Sequence, residues 1–173
     1  SFTLPAGKVR LNIGSGPEKL DGYINIDCLA SFNPDIPANA LNLRVGSSSV
    51  DEIYASHLIE HLQPEETQLL LRRFHNWLKG DGKLFIAVPD MIMLAKLFVD
   101  GIDALSLMQF VFGQPILAYP EQRHQWGYTE KTLTAHLEAA GFKVLGRFNS
   151  DHNDSSCCYV GDSLISLNLL CEK

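Results

Sequence analysis

A glycine turn and an acid stand near the start of the chain, in the sequence LNIGSGPEKLDGYINID at residues 11–27. Gly14 and Gly16 allow the backbone to turn sharply and let a ligand approach it without meeting a side chain. Asp27 ends the next apolar segment, at the edge of the predicted sheet where ligands bind in open parallel sheets. A carboxylate there can accept hydrogen bonds from the vicinal hydroxyls of a ribose. The pattern therefore predicts a nucleoside site that includes Ser15, the residue between the glycines.

The spacing of this turn distinguishes between two nucleoside cofactors. A dinucleotide-binding turn has a third glycine, a full helix whose amino end faces the pyrophosphate, and an acid about 20 residues on. Here Lys19 takes the place of the third glycine, and Asp27 follows Gly16 by only eleven residues. The intervening PEKLDG leaves room for about one helical turn at most. These features favour S-adenosylmethionine, a nucleoside without phosphates, over NAD. Cys28 either touches the adenosine or fills the core.

Polar and aromatic residues also follow the later predicted strands. Asp90 comes directly after a strand, at the edge of the sheet where ligands bind. The irregular segment at residues 114–128 concentrates histidine and aromatic residues, as a pocket wall does. Its candidate substrate-binding residues are Tyr119, His124, Trp126 and Tyr128. The alternative is that the aromatic residues fix the loop to the core.

Strands that alternate with helices must position these residues. The sequence predicts strands at residues 9–13, 23–27, 50–56, 83–88 and 143–148. It predicts helices from Pro64, at 91–99, at 103–112 and at 129–140, the last capped by Thr129. The closing residues 163–173 alternate in polarity, which suits a final strand antiparallel to its neighbour. This order predicts an α/β fold with a mostly parallel sheet covered by helices on both faces.

The bulk properties bound the classes of protein that remain. The 173 residues, 46% apolar and 20% charged, predict one globular domain at residues 1–173. A net charge of -6 without a run of lysine or arginine makes nucleic acid an unexpected partner. The start lacks the pattern of a secretion signal, and no apolar run approaches the roughly 20 residues of a membrane span. Four cysteines without CxxC spacing predict reduced thiols, a cytoplasmic location and no metal site.

Four segments, in order, resemble motifs of class I S-adenosylmethionine-dependent methyltransferases. The glycine turn with Asp27 resembles the first two motifs. SSSVDEIYASHLIEHL at 47–62 is similar to the fourth strand and its exit, and LKGDGKLFIAVPD at 78–90 to the fifth-strand motif. TEKTLTAHLEAAGFKV at 129–144 resembles the late helix and sixth strand. More narrowly, the chain resembles small predicted methyltransferases often associated with cell-surface polysaccharide clusters.

The resemblance implies a fold and a cofactor. The fold is Rossmann-like, with a mostly parallel seven-stranded sheet, an antiparallel C-terminal strand and helices on both faces. The cofactor is S-adenosyl-L-methionine, which leaves S-adenosyl-L-homocysteine as product. Asn42 and Leu43 occupy the place of the pair that contacts adenine in this family, although the alignment there can slip by three residues. Ser56 and His57 occupy positions near the methionine part of the cofactor.

The resemblance also implies methyl transfer to a small-molecule or saccharide acceptor, with oxygen favoured as the acceptor atom. The work of such an enzyme is mainly to align the acceptor and exclude water, and an oxygen acceptor can need a base. The candidates for that base are His124, His57 and Asp90. Glu60 and His61 are interpreted as contacts that hold the loop. A non-catalytic cofactor-binding module of the same fold stays open, because the first helix is short and the family's LPF step is missing.

Overall fold

The computed structural model describes residues 7–113 and 122–173, and a mixed sheet forms its centre. The strands of the described residues are β1 (Arg10–Ile13), β2 (Ile24–Asp27), β3 (Ile36–Pro37), β4 (Val50–Ser56), β5 (Leu78–Pro89), β6 (Lys143–Arg147), β7 (Tyr159–Val160), β8 (Ser163–Leu164) and β9 (Ser166–Glu172). Seven of them form one sheet in the order β3-β2-β1-β4-β5-β9-β6, and β7 and β8 form a separate hairpin. Within the seven-stranded sheet, β9 alone runs in the direction opposite to the other six strands. The predicted α/β fold with an antiparallel C-terminal strand is confirmed.

Four α-helices are present in the described residues: α1 (Pro64–Trp77), α2 (Met91–Val99), α3 (Ala104–Phe112) and α4 (Glu130–Ala139). The predicted start signals are confirmed, since Pro64 lies in the first turn of α1 and the Thr129 side chain accepts from the Thr132 N–H at the start of α4. None of the described helices is long and apolar enough to cross a membrane.

The two faces of the sheet are packed differently. Alternate strand residues such as Ile53 share a core with the buried residues of α1 and α4. On the opposite face Tyr54 is buried, and its hydroxyl donates to Asp154 Oδ2 at 2.9 Å. Phe85 packs edge-on against Phe148, with ring centroids 5.2 Å apart. The segment from Phe148 to the 3₁₀ helix Ser155–Cys157 therefore covers the second face beside the carboxyl end of β4.

The link between β1 and β2 contains no helix, as its length predicts. Asn25, buried on β2, organises it instead. Its Oδ1 accepts from Asn12 Nδ2 on β1 and from the Leu20 N–H, each at 2.9 Å. Its Nδ2 donates to Asp35 Oδ2 at 3.0 Å, and that carboxylate also accepts from the Asn25 N–H at 2.8 Å. One side chain thus fixes the entry into β2, the loop at Leu20 and the approach to β3.

Most element boundaries lie within one residue of prediction, and two differences are larger. β5 begins at Leu78 rather than residue 83, because Leu78 pairs with Val50 before the register shifts to Glu52 opposite Lys83. The apolar alternation that marks a strand is interrupted at Gly80–Gly82, which hid this early pairing. The predicted closing strand is divided, with β8 in the small hairpin and β9 in the main sheet.

We expect Asn25→Ala to lower the free energy of unfolding by about 2–3 kcal/mol, because it leaves buried donors and acceptors without partners. Chemical denaturation followed by circular dichroism measures the change. The exposed Asn149 provides a matched control, since Asn149→Ala should stay within about 0.5 kcal/mol of the parent chain. Equal effects from both substitutions would remove Asn25 from its organising role.

Candidate functional site

A cavity of about 730 Å³ opens where β1, β2 and β4 end. Its lining includes six of the predicted cofactor residues, Gly14, Ser15, Gly16, Asp27, Cys28 and Ser56. It also includes the predicted catalytic residue His124 and His61, the residue interpreted as a loop contact. His57, predicted for both roles, lines it as well. A volume of this size falls within the usual range for a small-molecule site.

The glycine turn is held against β2 by its backbone. The Gly14 N–H donates to the Ile26 carbonyl at 2.8 Å, and the Gly16 N–H donates to Asp27 Oδ2 at the same distance. Gly14 has a φ of +75°, and a Cβ added there would lie 2.9 Å from Leu58 Cδ1. The positive φ favours glycine at this position, and any larger residue would also displace the Leu58 side chain.

Asp27 lies at the end of β2 with only 8% of its surface exposed. Its Oδ2 accepts from the Gly16 N–H, and its Oδ1 accepts from the Leu29 N–H at 2.8 Å. Each carboxylate oxygen can accept more than one hydrogen bond. The backbone therefore fixes the side chain in the cavity wall, and acceptor capacity remains for the hydroxyls of a bound ribose.

Ser56 ends β4 and also lines the cavity. Its Oγ is buried, and no residue in the described ranges offers it a hydrogen bond. A buried hydroxyl without a partner is uncommon in folded proteins, and a ligand is one way to satisfy it. Ser56 Oγ is thus available to bond a molecule in the cavity.

The residues predicted to contact adenine lie elsewhere. Asn42 is exposed and Leu43 is buried in the core, and neither lines the cavity. The segment forms a 3₁₀ helix, Ala40–Asn42, in which Asn39 Oδ1 accepts from the Leu41 N–H at 2.8 Å. This turn places Asn39, Ala40 and Leu41 in the cavity wall. The residues of this turn at the cavity thus begin three positions before the predicted pair, because the turn starts at a point that the sequence does not mark.

His57 is held at both ring nitrogens. Asn168 Nδ2 donates to the Ser156 carbonyl, so its Oδ1 accepts from Ser166 Oγ at 2.7 Å. Ser166 Oγ therefore accepts from His57 Nε2 at 2.9 Å. His57 Nδ1 faces Glu60 Oε1 at 3.1 Å. Both ring nitrogens of His57 therefore face protein groups, and neither is left to take a proton from the methyl acceptor. The position of His57 does not support its predicted role as a base.

Glu60 is fully buried beside three histidines. Burial raises the pKa of its carboxyl. The contact with His57 and the charges of His57, His61 and His124 lower that pKa by more, so the pKa lies below its usual value. Its carbonyl oxygen accepts from the Gln125 N–H at 2.7 Å. This bond joins the 3₁₀ helix Ile59–His61 to the segment that carries His124.

His61 and His124 lie side by side at the cavity, with ring centroids 4.8 Å apart. His61 Nδ1 lies 3.1 Å from the Arg123 carbonyl, and His124 Nδ1 lies 3.1 Å from the Phe110 carbonyl. A carbonyl only accepts, so both Nδ1 atoms carry hydrogen and both Nε2 lone pairs are available when the rings are neutral. Burial lowers the pKa of His124, although Glu60 raises it in part.

Three other predicted residues lie outside the cavity lining. Asp90 caps α2, where its Oδ1 accepts from the Ile92 and Met93 N–H groups. Tyr128 is fully buried and donates to Thr67 Oγ1, while Trp126 is largely exposed. Their positions give Asp90 a capping role, Tyr128 a core role and Trp126 a surface position. Tyr119 lies outside the described residues.

Sequence reasoning did not assign Asn39, Leu41, Glu60 or His61 to the site. Ala38 and Asn39 lie between two short elements, and only the turn places them at the cavity. The motif HLIEH at residues 57–61 did contain a signal, because two histidines and an acid recur within five residues. Their connection to His124 depends on a contact across more than 60 positions of the chain.

The chain belongs to a known family. Residues 17–146 match a family model described as a methyltransferase domain, a match that begins just after the glycine turn. The chain is therefore a member of the methyltransferase domain family. No curated protein matches it.

Solved structures share the fold at low sequence identity. A SAM-dependent methyltransferase from Archaeoglobus fulgidus has a TM-score of 0.63 and 16% identity, with 97% of this chain and 87% of that chain covered. A 1,6-didemethyltoxoflavin-N1-methyltransferase from Burkholderia thailandensis, with bound 1,6-didemethyltoxoflavin and S-adenosylhomocysteine, has a TM-score of 0.61 and 18% identity over 95% and 70% of the two chains. A mitomycin 7-O-methyltransferase has a TM-score of 0.61 and 13% identity; this chain covers 49% of its length. The Rossmann-like methyltransferase fold is confirmed.

S-adenosylmethionine is the cofactor that this fold and family use. The cavity fits it in chemical terms, with a carboxylate for ribose hydroxyls at Asp27 and an unsatisfied hydroxyl at Ser56. The turn at Gly14 lets a ligand approach the backbone, and the Leu41 side chain supplies an apolar surface suited to a purine.

We expect Asp27→Ala to weaken S-adenosylhomocysteine binding by roughly 10- to 150-fold, since hydrogen bonds to a charged acceptor are each worth about 1.5–3 kcal/mol. Isothermal titration calorimetry measures the affinity. Asp21→Ala is the matched control, because Asp21 is an exposed acid in the same link. Unchanged affinity in a folded Asp27→Ala variant would exclude this carboxylate from the cofactor site.

Proposed function

We propose that the protein transfers a methyl group from S-adenosylmethionine to an oxygen atom of a small-molecule or saccharide acceptor. The observation that carries this proposal is the single cavity shared by the Asp27 end of β2 and the His61–His124 pair. The first supplies contacts for a nucleoside, and the second supplies polar groups that a nucleoside does not need. The cavity thus has chemistry for two molecules.

On the cofactor side, the proposed contacts are Gly14, Ser15, Gly16, Asp27, Cys28, Ser56 and the turn at 39–41. Bound S-adenosylmethionine supplies an activated methyl group on a sulfonium sulfur and leaves as neutral S-adenosylhomocysteine. The residues of the chain therefore mainly hold the two reactants in line and exclude water. His57, fixed by Ser166 and Glu60, positions the exit of β4 for this purpose.

On the acceptor side, His124 and His61 present nitrogen lone pairs to the cavity. A hydroxyl can donate its hydrogen to the His124 lone pair while a lone pair of its oxygen points at the methyl group. As the oxygen takes the methyl group from the sulfonium sulfur, the hydroxyl proton would pass to His124 Nε2. Gln109 and Phe110 of α3 line the same region and supply one polar and one apolar surface. This combination supports a hydroxylated acceptor with an apolar ring or ring face.

Solved enzymes of the same fold are consistent with either nitrogen or oxygen as acceptor atom. One is named for N1 methylation of 1,6-didemethyltoxoflavin and another for 7-O-methylation of a mitomycin. Oxygen is proposed here because the histidine pair suits a hydroxyl, and a saccharide because of the sequence resemblance. One domain and a cytoplasmic location stay predictions, as does the absence of nucleic-acid binding.

We expect His124→Ala to lower turnover by roughly 10²–10⁴-fold, because it removes the base that would take the proton of the acceptor hydroxyl. S-adenosylhomocysteine affinity should stay within about twofold, since the cofactor contacts lie on other elements. Turnover is measured as S-adenosylhomocysteine release with a panel of phenols, sugars and nucleotide sugars.

His136→Ala is the matched control, because His136 lies on α4 and contacts Gln68 outside the cavity lining. It should leave turnover unchanged. Loss of cofactor affinity in His124→Ala would place this residue on the cofactor side. Cofactor binding without turnover on any acceptor of the panel would favour the non-catalytic module.

A further inference from the structure

Three side chains of types that can bind a metal ion meet at the cavity. Glu60, His61 and His124 each offer one ligand atom, and these atoms all lie within 4.8 Å of one another; no other such group occurs in residues 7–113 and 122–173. Two adjacent residues after β4 supply the first pair, and a segment more than 60 positions later supplies the third. The cluster is therefore a product of the fold.

The two histidines are oriented as metal ligands are. A metal-bound imidazole usually donates its second ring N–H to a carbonyl or carboxylate, which fixes the ring and directs the other nitrogen at the ion. His61 does this with the Arg123 carbonyl and His124 with the Phe110 carbonyl, each at 3.1 Å. The nitrogens left for an ion are the two Nε2 atoms.

The carboxylate is the independent observation that points to a ligand. Glu60 has no exposed surface, and within the described ranges neither oxygen has a hydrogen bond of acceptable geometry. Oε1 does lie 3.1 Å from His57 Nδ1, at ion-pair distance, which orients the group. A buried carboxylate this poorly satisfied is costly without a compensating cation. His57 accounts for one oxygen, and no residue within 7–113 and 122–173 bonds the other.

We propose that Glu60, His61 and His124 bind a divalent transition-metal ion, with zinc as the preferred candidate. Two imidazole nitrogens and one carboxylate oxygen form a ligand set typical of zinc sites that keep a position open for a further ligand. Ligands about 2.1 Å from one ion in tetrahedral geometry lie about 3.4 Å from each other. Small side-chain rotations would bring the cluster to that size.

The position of the cluster suggests what the ion would do. His61 and His124 line the cavity, so the open side of the ion would face it. A divalent ion there would bind an acceptor through its oxygen and favour the deprotonated form of that hydroxyl. In the ion-bound protein the ion, rather than His124 Nε2, would hold the acceptor. This role rests on the proposed function, whereas the binding of the ion does not.

The test begins with ion binding alone. The chain is stripped with EDTA, and zinc is titrated into it by calorimetry without cofactor or acceptor. One ion should bind per chain, and Co²⁺ in its place should give visible absorption bands of a four- or five-coordinate site. His61→Gln and His124→Gln should each weaken binding by more than about 100-fold. Glu60→Gln, which keeps the shape of the buried side chain, should weaken it as well.

Two control substitutions keep the result specific. His152→Gln and Cys157→Ser remove other potential ligands, which lie in the segment covering the second face of the sheet, and should leave zinc affinity unchanged. Thermal denaturation shows whether each variant is folded. Zinc binding that survives all three cluster substitutions, or that is lost in the control variants instead, would overturn the proposal.

The failure of the ion site and the failure of the proposed function give different results. If no ion binds but the EDTA-treated chain still methylates a hydroxylated compound, the ion site is wrong and the function stands. If zinc binds at the cluster but no hydroxylated acceptor is methylated, the ion site stands and the function is wrong. If both stand, EDTA should abolish turnover and zinc should restore it.

Discussion

The burial of the Glu60 carboxylate is the constraint on which the site depends. A charged group with no exposed surface is strongly unfavourable unless its surroundings compensate it. Three histidines around the side chain do so in part, one of them fixed through Ser166 to β9, and the proposed metal ion would complete the compensation. The backbone carbonyl of the same residue accepts N–H groups from Gln125 and Trp126. One residue therefore joins the exit of β4, the final strand and the segment before α4, and these together form the acceptor side of the cavity.

The cofactor side depends on a different set of contacts. Without a helix between β1 and β2, a full helix amino end is lacking for a phosphate, and the loop must be fixed in another way. Two residues of β2 fix it together, because Asn25 holds the loop at Leu20 and Asp27 holds the turn at Gly16. The same short link that makes a dinucleotide a poor ligand therefore leaves Asp27 fixed in the wall of a nucleoside site.

Local signals predicted much of this arrangement, and long-range contacts account for most of what they missed. Gly14, Asp27 and Thr129 were recognisable because a turn, a strand end and a helix cap each have a short-range physical cause. Asp90 and Tyr128 were misplaced because capping and core packing use the same residue types as catalysis and substrate binding. Asn42 was chosen over Asn39 because the start of a single 3₁₀ turn has no strong sequence mark. The meeting of His61 with His124 depends on tertiary structure that no local pattern encodes.

We expect one cavity to hold the cofactor at Asp27 and to direct its sulfur toward His61 and His124. A crystal structure of the chain with S-adenosylhomocysteine would show this arrangement. In that structure the ribose hydroxyls should contact the Asp27 carboxylate, the adenine should lie against the turn at 39–41, and the sulfur should face the histidine pair. Density for the ligand outside this cavity, or with its sulfur directed away from His61 and His124, would show that the two sides of the cavity do not act together.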